Sequence, residues 1–267
     1  MRLRVVHRPQ GKKPLSLVAL LAAVLIAGAA GSATPGLLAR FGGVLGTSAS
    51  MSFSAPSDTR ELSWTTWDEA AAPEYYRVIG AAQVTVELEP GEVRYADLDS
   101  LGRAGGAWAN VTAELASQGS SRQREDMSGL KPSGWGHNRE VDIELADGTF
   151  YHGAFFNRSH LLAKSLGGEE KLENLVCATR MQNVGSNKGD GGGMAYAEGL
   201  ARDWLKSNPA GTVYYSAVPV YEGAEPVCRS VVVDVKSSDG SLDLEVEVYN
   251  AAKGYTIDYA IGEFSQD

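Results

Sequence analysis

The segment that decides the fold is residues 156–183, which read FNRSHLLAKSLGGEEKLENLVCATRMQN. The tetrapeptide at 157–160, NRSH, puts a polar cluster inside an apolar run, directly after the return strand of a predicted hairpin. The rest of the segment is rich in amides and hydroxyls, including Asn174 and Asn183, but it has no second histidine. A tetrahedral zinc site of the usual kind is therefore poorly supported.

One histidine among amide oxygens suits the hydrolysis of a phosphodiester. Mg²⁺ prefers oxygen ligands, keeps several waters and needs only one or two protein ligands besides the substrate phosphate. A neutral imidazole can take a proton from water near neutral pH, while the metal stabilises charge on the phosphate. The pattern therefore predicts a compact, metal-assisted phosphodiesterase site around His160.

The flanking sequence predicts one α+β domain with a sheet built largely from antiparallel hairpins. Asp147-Gly148 is a hairpin turn, and residues 117–134 are expected to form a loop. The predicted strands are Ala82–Glu89, Val141–Leu145, Thr149–Phe156, Val213–Tyr221, Ser230–Lys236, Leu242–Tyr249 and Tyr255–Ile261. The predicted helices are Ala107–Ala116, Leu175–Gln182 and Met194–Lys206.

The first residues have the pattern of a targeting segment. Residues 1–14 carry five basic side chains and no acid, and residues 15–33 are apolar or small throughout. This pattern predicts a secretory signal over 1–33, with an uncleaved membrane anchor as the alternative. Residues 34–74 have the composition of a linker, which leaves 75–267 as the folded domain, outside the cytoplasm in either case.

The charge of the chain is unusual for a protein that contacts nucleic acid. Without the five basic residues of the leader, 19 Lys and Arg face 33 Asp and Glu. Residues 131–188 are balanced, whereas residues 189–267 hold five basic and thirteen acidic residues. Nucleic-acid binders usually show a basic patch, so we expect a locally positive cleft and weak, salt-sensitive binding.

The chain has two cysteines, Cys177 and Cys228. An even number in an oxidising compartment permits one disulfide. The alternative is two buried thiols, and the sequence favours the disulfide only slightly.

Several ordered motifs resemble the DNA/RNA non-specific endonucleases, in particular the secreted and DNA-entry branch of that family. They are FNRSHLL at 156–162, LGG at 166–168, ENL at 173–175 and TRMQN at 179–183. YADLDSLGR at 95–103 is similar to the branch's opening motif, and the resemblance extends over roughly residues 83–265. It implies a ββα-metal nuclease core on the antiparallel sheet, Mg²⁺ or Mn²⁺ as the cofactor, and DNA and RNA as substrates.

The resemblance also implies roles for individual residues. His160 matches the general base, Asn183 the direct Mg²⁺ ligand, and Asn174 an asparagine that orients the histidine or the substrate. Glu198 is similar to the acid that holds metal-bound waters. The two further candidates are Arg158, in the catalytic motif, and Arg180, both for phosphate contact, because a forked guanidinium suits a phosphate.

The sequence departs from the family in one motif, whose usual Asp-Arg-Gly-His here begins with Asn157. This change and the acidity of the chain leave open a catalytically degenerate module that binds nucleic acid outside the cell. A membrane-anchored nuclease for DNA uptake is the second alternative. An inhibitor protein as partner is also left open, although no residue points to one.

Overall fold

The largest element of the fold is an antiparallel sheet of six strands, and the remaining elements pack around it. The computed structural model describes residues 64–186 and 191–267. The strands in this part of the chain are β1 (Tyr76–Gly80), β2 (Val93–Tyr95), β3 (Ala107–Thr112), β4 (Glu140–Glu144), β5 (Phe150–Ala154), β6 (Phe156–His160), β7 (Leu175–Thr179), β8 (Thr212–Val220), β9 (Ser230–Ser237), β10 (Asp243–Tyr249), β11 (Tyr255–Asp258) and β12 (Glu263–Gln266). The helices are α1 (Ala113–Ser121), α2 (Arg180–Val184) and α3 (Met194–Ser207), and 3₁₀ turns span Lys164–Leu166 and Leu172–Asn174.

The sheet order is β1-β10-β9-β8-β3-β2, and every neighbouring pair is antiparallel. Three separate antiparallel pairs, β4-β5, β6-β7 and β11-β12, complete the strands. The predicted α+β class with a largely antiparallel sheet is therefore confirmed.

The main core lies between one face of the sheet and α3. Val233 and Val235 of β9 are fully buried, and so are Ala197 and Ala201 of α3, in the same apolar cluster. Residues four apart lie on one face of a helix, and alanine is small, so α3 can lie close to the valines. This packing fixes the height of α3 above the sheet, and with it the position of Glu198.

The unit that carries the predicted site is β6, β7 and α2, in that order. β6 pairs with β7 from Phe156 opposite Thr179 to His160 opposite Leu175. Helix α2 starts directly after β7, because the Thr179 hydroxyl accepts a hydrogen bond from the Gln182 backbone N–H at 2.9 Å. A side-chain oxygen in this position is a helix N-cap, and it turns the chain from strand to helix without a loop.

Two predicted helices begin as strands. Residues 107–112 of the predicted Ala107–Ala116 helix form β3, and α1 follows from Ala113 to Ser121, into the predicted loop. Residues 175–179 of the predicted Leu175–Gln182 helix form β7. Both strands are buried on both faces, and a short apolar run of that kind has no period that separates strand from helix.

Two predicted strands also differ from the structure. Ala82–Glu89 does not pair with another strand through backbone hydrogen bonds. The segment is instead attached to the sheet by a side chain, because the Gln83 backbone N–H donates to the Asp234 carboxylate at 2.7 Å. Tyr255–Ile261 ends as a strand at Asp258, and a turn leads into β12. The Val141–Leu145, Thr149–Phe156 and Met194–Lys206 predictions are confirmed by β4, β5 and α3, apart from their ends.

The predicted linker 34–74 includes residues that pack against the domain. The hydroxyl and backbone N–H of Thr65 both lie within 3.2 Å of the buried Glu247 carboxylate, and Trp67 stacks on Tyr75. The folded part therefore begins before residue 75. The predicted signal or anchor at 1–33 lies outside the described residues, as does most of the predicted linker. Within the described ranges, no helix is both long and apolar enough to cross a bilayer.

The predicted disulfide between Cys177 and Cys228 is not formed, because both side chains are buried free thiols. Cys177 packs into the cluster around Phe155 and Phe156, whereas Cys228 packs into the main core. Burial raises the pKa of both thiols, that of Cys228 to about 12. The sequence alternative of two buried thiols describes this structure.

Candidate active site

A cleft between β6, α1, α2 and α3 brings three of the predicted site residues together. His160 lies at the end of β6, Asn183 in α2 and Glu198 in α3, and all three line this cleft. The other residues that line it are Ser120, Arg124, Ala163, Lys164, Ser165, Glu170, Val184, Ala195 and Arg202.

His160 is largely withdrawn from solvent. Its Nε2 atom is buried, and among the described residues no hydrogen-bond partner lies within reach of it. Burial lowers the pKa of the imidazole below its ordinary value; the Glu170 carboxylate opposes this shift, and the Arg124 and Arg122 guanidinium groups reinforce it. The neutral form, which can accept a proton, is therefore favoured at neutral pH.

Asn174 is fully buried and holds the chain that follows His160. Its side-chain oxygen accepts from the Leu162 N–H at 2.8 Å, and its amide N–H₂ donates to the carbonyls of Leu162 and Glu169 at 3.0 and 2.8 Å. The backbone oxygen of Asn174 also accepts from the Leu161 N–H. Asn174 does not line the cleft, and its contacts with the chain after His160 fit the predicted alternative in which it orients the histidine.

Asn183 and Glu198 supply oxygen atoms to the cleft from two helices. Asn183 is half-buried, and the Glu198 side chain is 13% exposed and lies 3.7 Å from Arg202, one helical turn away. Across residues 64–186 and 191–267, no three His, Cys, Asp or Glu side chains gather closely enough to hold a metal ion. One amide and one carboxylate are hard oxygen donors, which suits a cation that keeps most of its waters, such as Mg²⁺.

The structure does not place Arg158, for which the sequence predicts a phosphate contact, among the residues that line the cleft. Its Nε donates to the Leu130 carbonyl at 2.5 Å, its Nη2 donates to the Ser128 carbonyl at 3.1 Å, and the guanidinium lies 4.2 Å from the Trp135 ring centre. These contacts lie outside the cleft. Arg158 therefore anchors the segment around residues 128–135 to β6, and its phosphate contact stays a prediction.

Arg180 also points away from the cleft. Its Nη1 donates to the Gly185 carbonyl at 3.4 Å, and its guanidinium lies 5.3 Å from the Tyr151 ring centre. This side chain ties the two ends of α2 together and packs on the β4-β5 hairpin, and its substrate contact stays a prediction.

The cations that do line the cleft were missed in the sequence analysis. They are Arg124, just after α1, Lys164, in the 3₁₀ turn behind His160, and Arg202, in α3. Arg202 donates to the Ser165 hydroxyl at 3.1 Å, and Lys164 lies 3.4 Å from the Ser120 carbonyl. The cluster SSRQRED at 120–126 is a local basic signal that could have indicated Arg124; nothing local distinguishes Lys164 or Arg202 from solvated surface residues.

Glu170 was missed as well. Its side chain is 2% exposed, lines the cleft and lies 3.5 Å from Arg122, whose guanidinium also contacts the Gly168 carbonyl. The buried carboxylate thus places a negative charge near His160, in a cleft that Arg124, Lys164 and Arg202 also line.

Comparison with known proteins agrees with this geometry. Residues 103–263 match the model of the DNA/RNA non-specific endonuclease family. A deoxyribonuclease of Streptococcus dysgalactiae subsp. equisimilis is 33% identical over 227 residues, covering 73% of this chain and 68% of the relative.

Two solved structures have the same fold. The Sda1 nuclease with a bound zinc ion superposes with a TM-score of 0.71 at 31% identity, covering 76% of this chain and all of that chain. NucA from Streptococcus agalactiae with a magnesium ion bound superposes with a TM-score of 0.56 at 23% identity, covering 72% and 88%. The β6-β7-α2 unit is thus the ββα-metal nuclease core, and this chain belongs to the DNA/RNA non-specific endonuclease family.

Proposed function

We propose that the chain is an exported, Mg²⁺-assisted endonuclease that hydrolyses DNA and RNA, with His160 as the general base and Asn183 as the metal ligand. The observation that carries this proposal is that His160, Asn183 and Glu198 line one cleft although they come from three different elements. The names of the relatives, a deoxyribonuclease and two nucleases, are consistent with it.

His160 takes the proton from the attacking water. A neutral imidazole has one ring nitrogen without a proton, which can accept that proton, and His160 lines the cleft in which the water would lie. The lowered pKa keeps the ring neutral and ready at neutral pH. A lowered pKa also makes the imidazole a weaker base, which reduces the driving force for proton transfer. It increases, however, the fraction of molecules whose imidazole is neutral and able to accept the proton.

Asn183 and Glu198 would hold the metal, Asn183 through its side-chain oxygen and Glu198 through waters. A bound Mg²⁺ would stabilise the charge that develops on the phosphate and on the leaving oxygen. An amide ligand adds no negative charge that would repel the phosphodiester. Sda1 has been solved with zinc and NucA with magnesium, so the choice of metal is part of the test.

Arg124, Lys164 and Arg202 would position the phosphodiester. All three line the cleft beside His160. Their charge would favour phosphate binding in a chain that carries an excess of acid, because in the described part of the chain these three cations line the cleft beside only two acids, Glu170 and Glu198. Contacts of this kind go to phosphates and carry no sequence information, as expected for a nuclease without base preference.

Export rests on the sequence of residues 1–33. A basic start and an apolar middle are the pattern of a secretory signal, and the anchored alternative differs only in cleavage. N-terminal sequencing of the exported protein separates the two: a start near Ala30 or Thr34 supports cleavage, and an intact leader supports the anchor.

The decisive experiment is digestion of plasmid DNA and of RNA by the purified chain, after chelation and after adding back Mg²⁺, Mn²⁺ or Zn²⁺. We expect cleavage only with metal, and a loss of about 10²–10⁴-fold in His160→Ala. His152→Ala is the matched control, because His152 is exposed on the β4-β5 hairpin and lies outside the cleft. Binding without cleavage under every metal would instead support the catalytically degenerate module.

A further inference from the structure

The buried hydroxyl of Ser159 is the feature of the cleft that the proposed mechanism has not used. Ser159 is fully buried, and its Oγ lies 3.2 Å from the side-chain oxygen of Asn183 and 2.9 Å from that of Gln182. The family motif has glycine at this position. A hydroxyl is therefore an addition of this chain, placed directly against the proposed metal ligand.

One hydroxyl proton cannot serve two oxygen atoms. A serine hydroxyl has one proton to donate and can also accept, so one of the two amides has to present its N–H₂ to Ser159. The amide nitrogen of Gln182 is buried and, within the described part of the chain, has no acceptor within reach. Orphaned buried N–H groups are rarer than carbonyls that lack a partner, and a half-turn of the Gln182 amide gives its nitrogen a partner.

We infer that Ser159 is a positioning residue for the metal ligand: Gln182 Nε2 donates to Ser159 Oγ, and the Ser159 hydroxyl donates to Asn183 Oδ1. The chain of hydrogen bonds fixes which end of the Asn183 amide is oxygen and where it lies. A carbonyl oxygen has two lone pairs, so one remains for a cation. This inference rests on the proposed role of Asn183.

The elements on both sides of Ser159 hold the network rigid. Ser159 pairs with Val176 in the β6-β7 ladder, so its backbone cannot shift alone. Gln182 and Asn183 are neighbours in α2, which is capped by Thr179. The register of one ladder and the start of one short helix thus place the hydroxyl between the two amides.

The test is Mn²⁺ binding in the absence of nucleic acid, measured on the full chain by the EPR signal of free Mn²⁺. Loss of a partner that orients a metal ligand typically costs 10–100-fold in metal affinity or activity. Ser159→Ala should therefore raise the dissociation constant for Mn²⁺ by about 10–100-fold. Ser159→Gly should behave the same way, and it remains informative if the alanine variant fails to fold.

Kinetics separate positioning from general damage. In Ser159→Ala, the Mg²⁺ concentration for half-maximal cleavage should rise, while saturating Mg²⁺ restores kcat and the KM for DNA stays unchanged. Ser216→Ala is the matched control, because it removes a buried hydroxyl that donates to Asp234 at 2.9 Å in the central sheet. It should lower stability without changing Mn²⁺ affinity.

The outcomes are distinct for the two proposals. If Asn183→Ala loses Mn²⁺ binding and Ser159→Ala binds Mn²⁺ like the wild type, the positioning inference is overturned and the ligand assignment stands. If Asn183→Ala also binds like the wild type, both are overturned. A loss of kcat in Ser159→Ala that saturating Mg²⁺ does not restore also contradicts the inference.

Discussion

Both ends of the Asn174 side-chain amide are hydrogen-bonded to the backbone of Leu162, two residues beyond His160. The catalytic motif is thus held by a residue that contacts neither the cleft nor the substrate. Because the amide also reaches the Glu169 carbonyl, it closes the loop that carries Lys164 and Glu170.

Asn174→Ala should lower both stability and turnover. The Leu162 N–H and C=O would be left buried without partners, and each such group costs about 1–3 kcal/mol. We expect a lower midpoint in denaturant unfolding and a lower kcat, because His160 loses its fixed position. Asn110→Ala is the control: Asn110 also donates to a backbone carbonyl, that of Leu88, but it lies outside the cleft. Equal loss of kcat in both variants would refute a specific role for Asn174.

Arg124 and Arg158 should differ in how they affect DNA binding. Arg124 lines the cleft, so Arg124→Ala should reduce the slope of log affinity against log salt by about 1. Arg158→Ala should leave that slope unchanged and lower the melting temperature, because the carbonyls of Leu130 and Ser128 lose their donor. Binding is measured in a His160→Ala background, which prevents cleavage. A reduced slope in the Arg158 variant would restore the phosphate role predicted from its motif.

Arg124 lines the cleft and Arg158 does not, and this difference could not be predicted from the sequence. The motif around His160 identified the family and predicted His160 as the base, since the order of its residues is local information. It could not show that the partners of Arg158 are backbone carbonyls about thirty residues earlier in the chain. The cleft cations Arg124, Lys164 and Arg202 lie far apart in the sequence, and only the packing of α1, α3 and the 3₁₀ turn at Lys164–Leu166 against one another brings them together.

The two strands that were predicted as helices, β3 and β7, owe their conformation to pairing with neighbouring strands rather than to local sequence. Residues 107–112 are rich in alanine and lack alternation, since both faces of β3 are buried, so their strand state is set by pairing with β8 and β2. Tertiary context overrides local propensity in such cases. The central strands β8, β9 and β10 could be predicted because their β-branched residues and hairpin turns carry a local signal.

The pH dependence of cleavage should report His160. Because burial lowers the pKa of the imidazole and the base must be neutral, kcat/KM should rise with pH, with a midpoint below the ordinary histidine value of about 6.5. Glu170 raises that pKa, so Glu170→Gln should move the midpoint of the profile to lower pH. Profiles of kcat/KM from pH 4.5 to 8 for both proteins test this. An unchanged midpoint in the variant would contradict the electrostatic link, and a flat profile would remove the general-base assignment.

The state of the two cysteines can be measured directly by thiol titration. With both thiols buried and their pKa values raised, the native chain should react very slowly with a disulfide reagent. After unfolding without reductant, two thiols per chain should react, since Cys177 and Cys228 are the only cysteines in the sequence. No reactive thiols in the unfolded chain would show that the disulfide predicted from the sequence does form.

Gly193 should be needed where α3 meets α2. Its φ is +54°, and a Cβ there would lie 2.2 Å from the Gln182 carbonyl oxygen and 2.7 Å from that of Met181. Gly193→Ala should therefore push α3 away from α2 and separate Glu198 from Asn183. We expect a loss of stability beyond the roughly 1–3 kcal/mol that a residue other than glycine costs in a sparsely populated φ/ψ region, together with weaker Mn²⁺ binding.

Gly223→Ala is the control for Gly193→Ala, because it changes a glycine with positive φ without creating a steric clash. Gly223 lies on the turn after β8, and its φ of +53° is nearly the same as that of Gly193. A Cβ at Gly223, however, would have no other atom within 4 Å. Gly223→Ala should lose only the backbone contribution and keep wild-type Mn²⁺ affinity and turnover. Equal losses in the two variants, by denaturant unfolding and by Mn²⁺ titration, would mean that the contact between α2 and α3 does not set the spacing of the two oxygen ligands.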